Sequence, residues 1–174
     1  MIAFTPTEAS ELLARHFEAP RPTLQYLQYL HRTQLMIPTR PKTRGRPTYG
    51  PAKVCALLFL FDMRQYGFPL SRLRKAVRVI ENDWEKLVSA RQAWLTGNDL
   101  QVEIVYTREA LASAGMVWIY PIRKYVQLVI DEITAQYLDG KITLEEFTRE
   151  LCGGGEDEYG DNRNQSIGAD SIPE

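Results

Sequence analysis

Apolar residues recur at helical spacing from the start of the chain. Ala9, Leu12, Leu13 and Phe17 fall three and four apart behind Thr5-Pro6-Thr7-Glu8. There Thr5 supplies an N-cap, Pro6 suits the first helical position, and Glu8 closes a capping box. The Pro20-Arg21-Pro22 break ends this helix. Thr23 caps a second helix to about Leu35, with Leu24, Leu27, Leu30 (or His31) and Leu35 inward and Gln25, Gln28, Tyr29 and Arg32 outward. Pro51 opens a third helix whose Val54, Leu57, Leu58, Phe61 and Met63 form a broad apolar surface, and Gly67 closes it. A fourth begins near Leu70, with Leu70, Leu73, Val77 and Ile80 inward and Arg72, Arg74, Lys75 and Arg78 outward.

The pattern changes after residue 80. Glu81 to Trp94 reads as one short helix before a Gly97-Asn98-Asp99 turn. Leu100 to Tyr106 alternates as a strand, Arg108 to Ser113 suggests a short helix, and Met116 to Tyr120 reads as a second strand. Pro121 then opens a helix to about Leu138, with Ile122, Val126, Val129, Ile130, Ile133 and Tyr137 on one face. A two-stranded unit with one helix is too small to stand alone, so this face is expected to pack on the first part and on a second subunit. Leu138 to Leu151 predicts a turn and a short helix. Its DGKITLEEF run is not a calcium loop, because Ala135 and Tyr137 fall where carboxylate ligands are needed. From Gly153 the three glycines, acidic residues and scarcity of apolar groups predict a disordered tail. The expected organisation is therefore 1–80, 81–152 and 153–174, and the expected class is mostly α with some β.

Charge gives these divisions meaning. The chain has a net charge of −1, yet residues 1–80 carry thirteen Lys/Arg against four Asp/Glu and residues 81–174 carry eight against eighteen. A basic front joined to an acidic back suits a nucleic-acid-binding module attached to something else. Chance clustering on solvated faces is the plainer account. The charge is densest between the second and third helices, where Arg40, Lys42, Arg44 and Arg46 surround Gly45 between Pro41 and Pro47. Two short extended arms meeting there would make a basic wing able to neutralise phosphates or enter a narrow minor groove. Arg44-Gly45-Arg46-Pro47 is also the core of minor-groove AT-hook peptides. Helix, basic hairpin, helix and helix in this order is the layout of a winged helix-turn-helix. The outward face of the second helix suits a major groove, since Gln pairs with adenine and Arg with guanine or phosphate.

The run LQYLHRTQLMIPTR, the Gly-x-x-x-Tyr of Gly45 to Tyr49, and MRQYGFPLSRLRKAV together resemble the DNA-binding domain of the MerR family of bacterial transcription regulators. The resemblance covers Phe4 to about Val77. It implies that Gln25, Gln28 and Tyr29 face the major groove and that Arg40, Arg46 and Tyr49 contact backbone near the wing. Departures are Gln28 for the usual Arg, Gln34 for the usual Gly and Pro47 for the usual wing Arg. The family's long coiled-coil helix has no counterpart here, because no heptads follow residue 94.

Other chemistries find little support in the residues. No apolar run reaches the roughly 18 to 20 residues of a membrane span, the longest being Val54 to Phe61. The first residues lack the pattern of a secretory signal. Cys55 and Cys152 form no CxxC, which predicts a reducing cytoplasm, no disulfide and no metal site; Cys55 reads as a small buried hydrophobe. His16 reads as a surface or packing residue. No catalytic constellation or phosphate-binding Gly loop is present. The expectation is a cytoplasmic, nucleoid-associated, non-enzymatic homodimer without cofactor. It would occupy a palindromic promoter operator on double-stranded DNA, as a repressor, and family-level habit links such proteins to mobile-element or defence modules. The expected DNA contacts are Thr23, Gln25, Gln28, Tyr29, Arg32, Arg40, Lys42, Arg44, Arg46 and Tyr49, and the expected dimer contacts lie on the Ile122–Tyr137 face. Two other readings fit the same charge pattern. One is an antitoxin-like module that neutralises a partner protein and regulates its own operon; the other is an architectural factor that bends DNA.

Overall fold

The first helix begins where its capping box sets it. In α1 (Pro6–His16) the Thr5 hydroxyl accepts the Glu8 N–H at 3.2 Å, and the Glu8 carboxylate accepts the Thr5 N–H at 2.7 Å. The computed structural model describes residues 2–17, 24–39, 46–68, 73–97, 102–113 and 118–152. Ala9, Leu12 and Leu13 are buried and Phe17 is half-buried, as the spacing predicts. In α2 (Leu24–Arg32) Leu27 and Leu30 are buried, but Leu24, expected inward, is 52% exposed. At about 100° per residue it stands some 120° round the helix from Leu30, outside the buried stripe.

The core is built round α3 (Pro51–Gln65), whose residues from Val54 to Leu60 are all buried. A helix apolar on every side must be covered on every side, and α3 packs on α1, on α4 (Arg74–Asn82) and on α7 (Arg123–Leu138). Its end is a Schellman motif: Phe68 N–H donates to the Met63 carbonyl at 3.2 Å and Gly67 N–H to that of Arg64 at 2.9 Å. Gly67 takes φ +78, which a residue without Cβ adopts freely. Of the residues expected inward on α4, Leu73, Val77 and Ile80 are buried and Leu70 lies outside the described residues, as does Arg72, expected outward.

The expected helix over Glu81–Trp94 is not one element. Glu81 and Asn82 complete α4, the backbone breaks at Asp83, α5 runs over Trp84–Ser89, and Trp94 starts a strand. That strand, β1 (Trp94–Gly97), is the centre of a three-stranded antiparallel sheet in the order β2-β1-β3, with β2 at Val102–Val105 and β3 at Trp118–Pro121. The two strands expected to form a pair therefore do not pair with each other. Leu95 faces Ile104 on one side and Tyr120 on the other. α6 (Arg108–Ser113) stands where the sequence predicts it. After α7, Gly140 at φ +69 turns the chain, and a second capping box, Thr143 with Glu146, starts α8 (Leu144–Cys152).

The face of α7, expected to pack on the first part of the chain and on a second subunit, packs on the first part and is used within the chain. Ile122, Val126, Val129 and Ile133 are fully buried and belong to the same hydrophobic cluster as Ile2, Phe4 and α3, while Ile130 and Tyr137 are half-buried. Most of the apolar stripe is covered by α3, α5 and α8, so its buried residues offer no surface to a partner. Polar contacts reinforce this seating. Buried Asp62 of α3 accepts from the Tyr125 hydroxyl and, at 2.6 Å, from the Lys124 ammonium. Arg123 donates to the Leu87 and Val88 carbonyls at 2.8 and 3.1 Å, and Arg15 of α1 pairs with Glu132 at 2.8 Å. Among the described residues no helix is long and apolar enough to cross a membrane.

Candidate nucleic-acid interface

Helix α2 presents one polar face to solvent. Gln25, Gln28, Tyr29 and Arg32 are all exposed, Tyr29 by 49%. At about 100° per residue the four fall within an arc of about 100°, a single stripe. The opposite side is held by Leu27 and Leu30 in the core. Its flank is held by Tyr26, whose ring meets Phe61 edge-on at 6.2 Å and lies 4.8 Å under the Arg64 guanidinium. Burial pushes the Tyr26 phenol up, and the neighbouring Arg64 partly offsets that. The stripe is thus carried on a helix fixed on two sides.

The end of α2 is a second Schellman motif. Leu35 N–H donates to the Leu30 carbonyl at 3.0 Å and Gln34 N–H to that of His31 at 3.0 Å, with Gln34 at φ +55. A glutamine in the left-handed region costs what glycine would not. Leu35 and Met36 then return to the core. At Thr39 the chain pairs antiparallel with Thr48 through both backbone bonds, at 2.8 and 3.0 Å. The same returning arm pairs at Tyr49 with Phe4, again through two bonds, each 2.8 Å. Two antiparallel arms therefore bracket the basic segment. Arg46 is exposed beside this pairing, while Thr23, Arg40, Lys42 and Arg44 lie outside the described residues.

Tyr49 does not sit where the resemblance implies. It is 3% exposed, its phenol is pushed up by burial, and its backbone is consumed by Phe4. Its ring anchors the arm to the core rather than standing at the surface. Two basic residues that the sequence reading did not single out for this surface brace it instead. Lys53 of α3 donates to the Ile37 carbonyl at 2.6 Å and to the Thr39 hydroxyl at 3.3 Å. Arg74 of α4 donates to the Thr33 carbonyl at 2.9 Å. The available signal was charge: between Glu18 and Asp62 the sequence has no acidic residue and seven Lys/Arg.

Among the described residues no group of three or more His, Cys, Asp or Glu is placed to hold a metal ion. Cys55 is fully buried, and its thiol is pushed far above the ordinary range by desolvation. No protein-family model matches the chain, and no curated protein matches it.

Proposed function

We propose that this chain is a sequence-specific double-stranded-DNA-binding regulator built on a MerR-like winged helix-turn-helix. It acts by binding rather than by catalysis. The observation that carries the reading is the exposed stripe Gln25, Gln28, Tyr29 and Arg32 on a fixed helix, followed directly by antiparallel arms that bracket a basic segment. The stripe has the donors and acceptors that base edges require, and the arms carry charge suited to phosphates. Support for the MerR-like type comes from Gln34, which adopts a left-handed turn at the position where the family has glycine. The protein works as a homodimer on a palindromic operator with half-sites about two helical turns apart, and represses by occupying a promoter. The two copies meet through a surface other than the buried face of α7.

The test is footprinting on the DNA upstream of the protein's own gene across a salt series, together with selection from a randomised duplex pool. A discrete two-fold-symmetric footprint and an enriched palindrome are expected. Gln28→Ala should weaken the selected site by about 1–3 kcal/mol, roughly 5- to 150-fold, and relax one base position. Arg46→Ala should weaken all duplexes alike and lower the salt slope by about 1. Salt-sensitive binding with neither a footprint nor an enriched sequence would overturn the reading.

A further inference from the structure

The back of the chain returns to the front at one particular point. The Ile2 N–H donates to the Glu150 carboxylate of α8 at 3.0 Å, two residues before that helix ends at Cys152. Ile2 lies two residues from Phe4, whose backbone is bonded to Tyr49 beside the Thr39–Thr48 pair. Adding the last residues of α8, one side chain and its hydrogen bond, a dipeptide and a strand pairing keeps the end of α8 within about 30 Å of Thr48. The residues following Cys152 are thus attached close to the root of the basic arms.

Those 22 residues, Gly153 to Glu174, carry six Asp/Glu and one Arg, with Glu156, Asp157 and Glu158 in succession after three glycines. Fully extended they would span at most about 75 Å, more than twice the distance they need. The surface near their attachment is basic. Arg46 stands exposed beside Thr48, Lys53 bridges Ile37 and Thr39, and Arg32 and Arg74 flank Thr33 at the end of α2. Glu81 lies near enough to Lys53 to feel its charge, and so offsets part of this strip. Tethering over so short a span gives an effective concentration in about the millimolar range, so individually weak charge pairs act together.

We infer that the acidic segment 153–174 occupies the basic strip formed by Arg32, Arg46, Lys53 and Arg74 and competes there with DNA. The occupancy rests on tether position and charge; the competition rests on the DNA-binding reading above. Only a polyanion that makes enough contacts displaces the segment, so loosely held duplex is rejected more than a well-matched site. Displacement also returns counterions to the segment, which flattens the salt dependence of DNA binding.

The experiment compares the full chain with a full-length variant carrying Glu156→Gln, Asp157→Asn and Glu158→Gln. Without DNA, amide resonances of Ile37, Thr39, Arg46 and Thr48 should shift between the two proteins; if they coincide, the inference is overturned. With random-sequence duplex, the variant should bind about tenfold more tightly at 50 mM salt, with a steeper salt slope and a gap below about twofold at 300 mM. Shifted amides with equal duplex affinity would overturn the competition. Shifted amides with no duplex binding by either protein would overturn the DNA-binding reading and uphold the occupancy.

Discussion

Asp62 is the sharpest place to test how the two halves of this chain are joined. It is a carboxylate 6% exposed on a helix of otherwise apolar inward residues, and its Oδ2 receives the Tyr125 hydroxyl and the Lys124 ammonium from α7. The Tyr125 side chain is itself 1% exposed, so Asp62→Ala leaves a buried hydroxyl without a partner, at a cost of about 1–3 kcal/mol. The ion pair adds little, because the Lys124 side chain is 50% exposed; such a pair contributes about 0–1 kcal/mol. Relief of the buried carboxylate's desolvation works the other way. The expected net loss is about 2 kcal/mol, a fall of about 1 M in the urea midpoint for a slope near 2 kcal/mol/M. Tyr125→Phe should cost about 1–2 kcal/mol, and the double variant little more than Asp62→Ala alone, a coupling of at least about 1 kcal/mol. Lys124→Met should cost less than about 1 kcal/mol. Equilibrium urea unfolding followed by circular dichroism measures all four proteins. A midpoint shift below about 0.25 M for Asp62→Ala, or strict additivity in the double variant, would refute the claim that this contact ties α3 to α7.

Three further outcomes are expected. Gln34→Gly should stabilise the protein by about 0.5–1 kcal/mol, because glycine accepts φ +55 without a Cβ clash, and should raise the melting temperature by about 1–4 °C in a thermal scan. Burial, then the hydrogen bond to Asp62 and its charge, hold the Tyr125 phenol far above the ordinary range. The unfolded chain therefore releases that proton first, near pH 10. Stability is complete below that pH and falls above it by about 1.4 kcal/mol per pH unit for this residue, a slope that Tyr125→Phe should lack in urea titrations at pH 9 to 11. Cys55 should resist alkylation in the native protein and react only as the chain unfolds, which mass spectrometry over a urea series would detect; rapid native labelling would contradict its burial.

What could be read from the sequence divides along physical lines. The capping box at Thr5, the Gly67 stop and the outward stripe of α2 are local signals, each decided by residues within a turn or two, and the structure shows each of those local features. β1 was hidden because a buried central strand does not alternate. Leu95, Thr96 and Gly97 are all enclosed, and four residues after an apolar helical run read as its continuation. The stripe of α7 announced burial against the first part of the chain, which α3 supplies, while its burial by α5 and α8 was not legible. Tyr49 was placed at the surface by resemblance, whereas pairing with Phe4, 45 residues away along the chain, decides its seat. Asp62 gave a faint signal, a lone acid in an apolar helix, whose partners 62 and 63 residues further on no local pattern reveals.

The Ile2–Glu150 hydrogen bond has a consequence for how the protein is made. It joins residues 148 apart, and at ribosomal speeds of about 5–20 residues per second the acceptor is synthesised roughly 7 to 30 s after the donor. The first strand-like segment, paired at Phe4 with Tyr49, therefore lacks this bond until α8 has emerged. During that interval α3 also lacks α7, leaving an apolar flank uncovered in the nascent chain. A chain interrupted between α3 and α7 would keep that flank exposed for good, so premature termination is expected to yield an aggregating fragment rather than a freestanding front half.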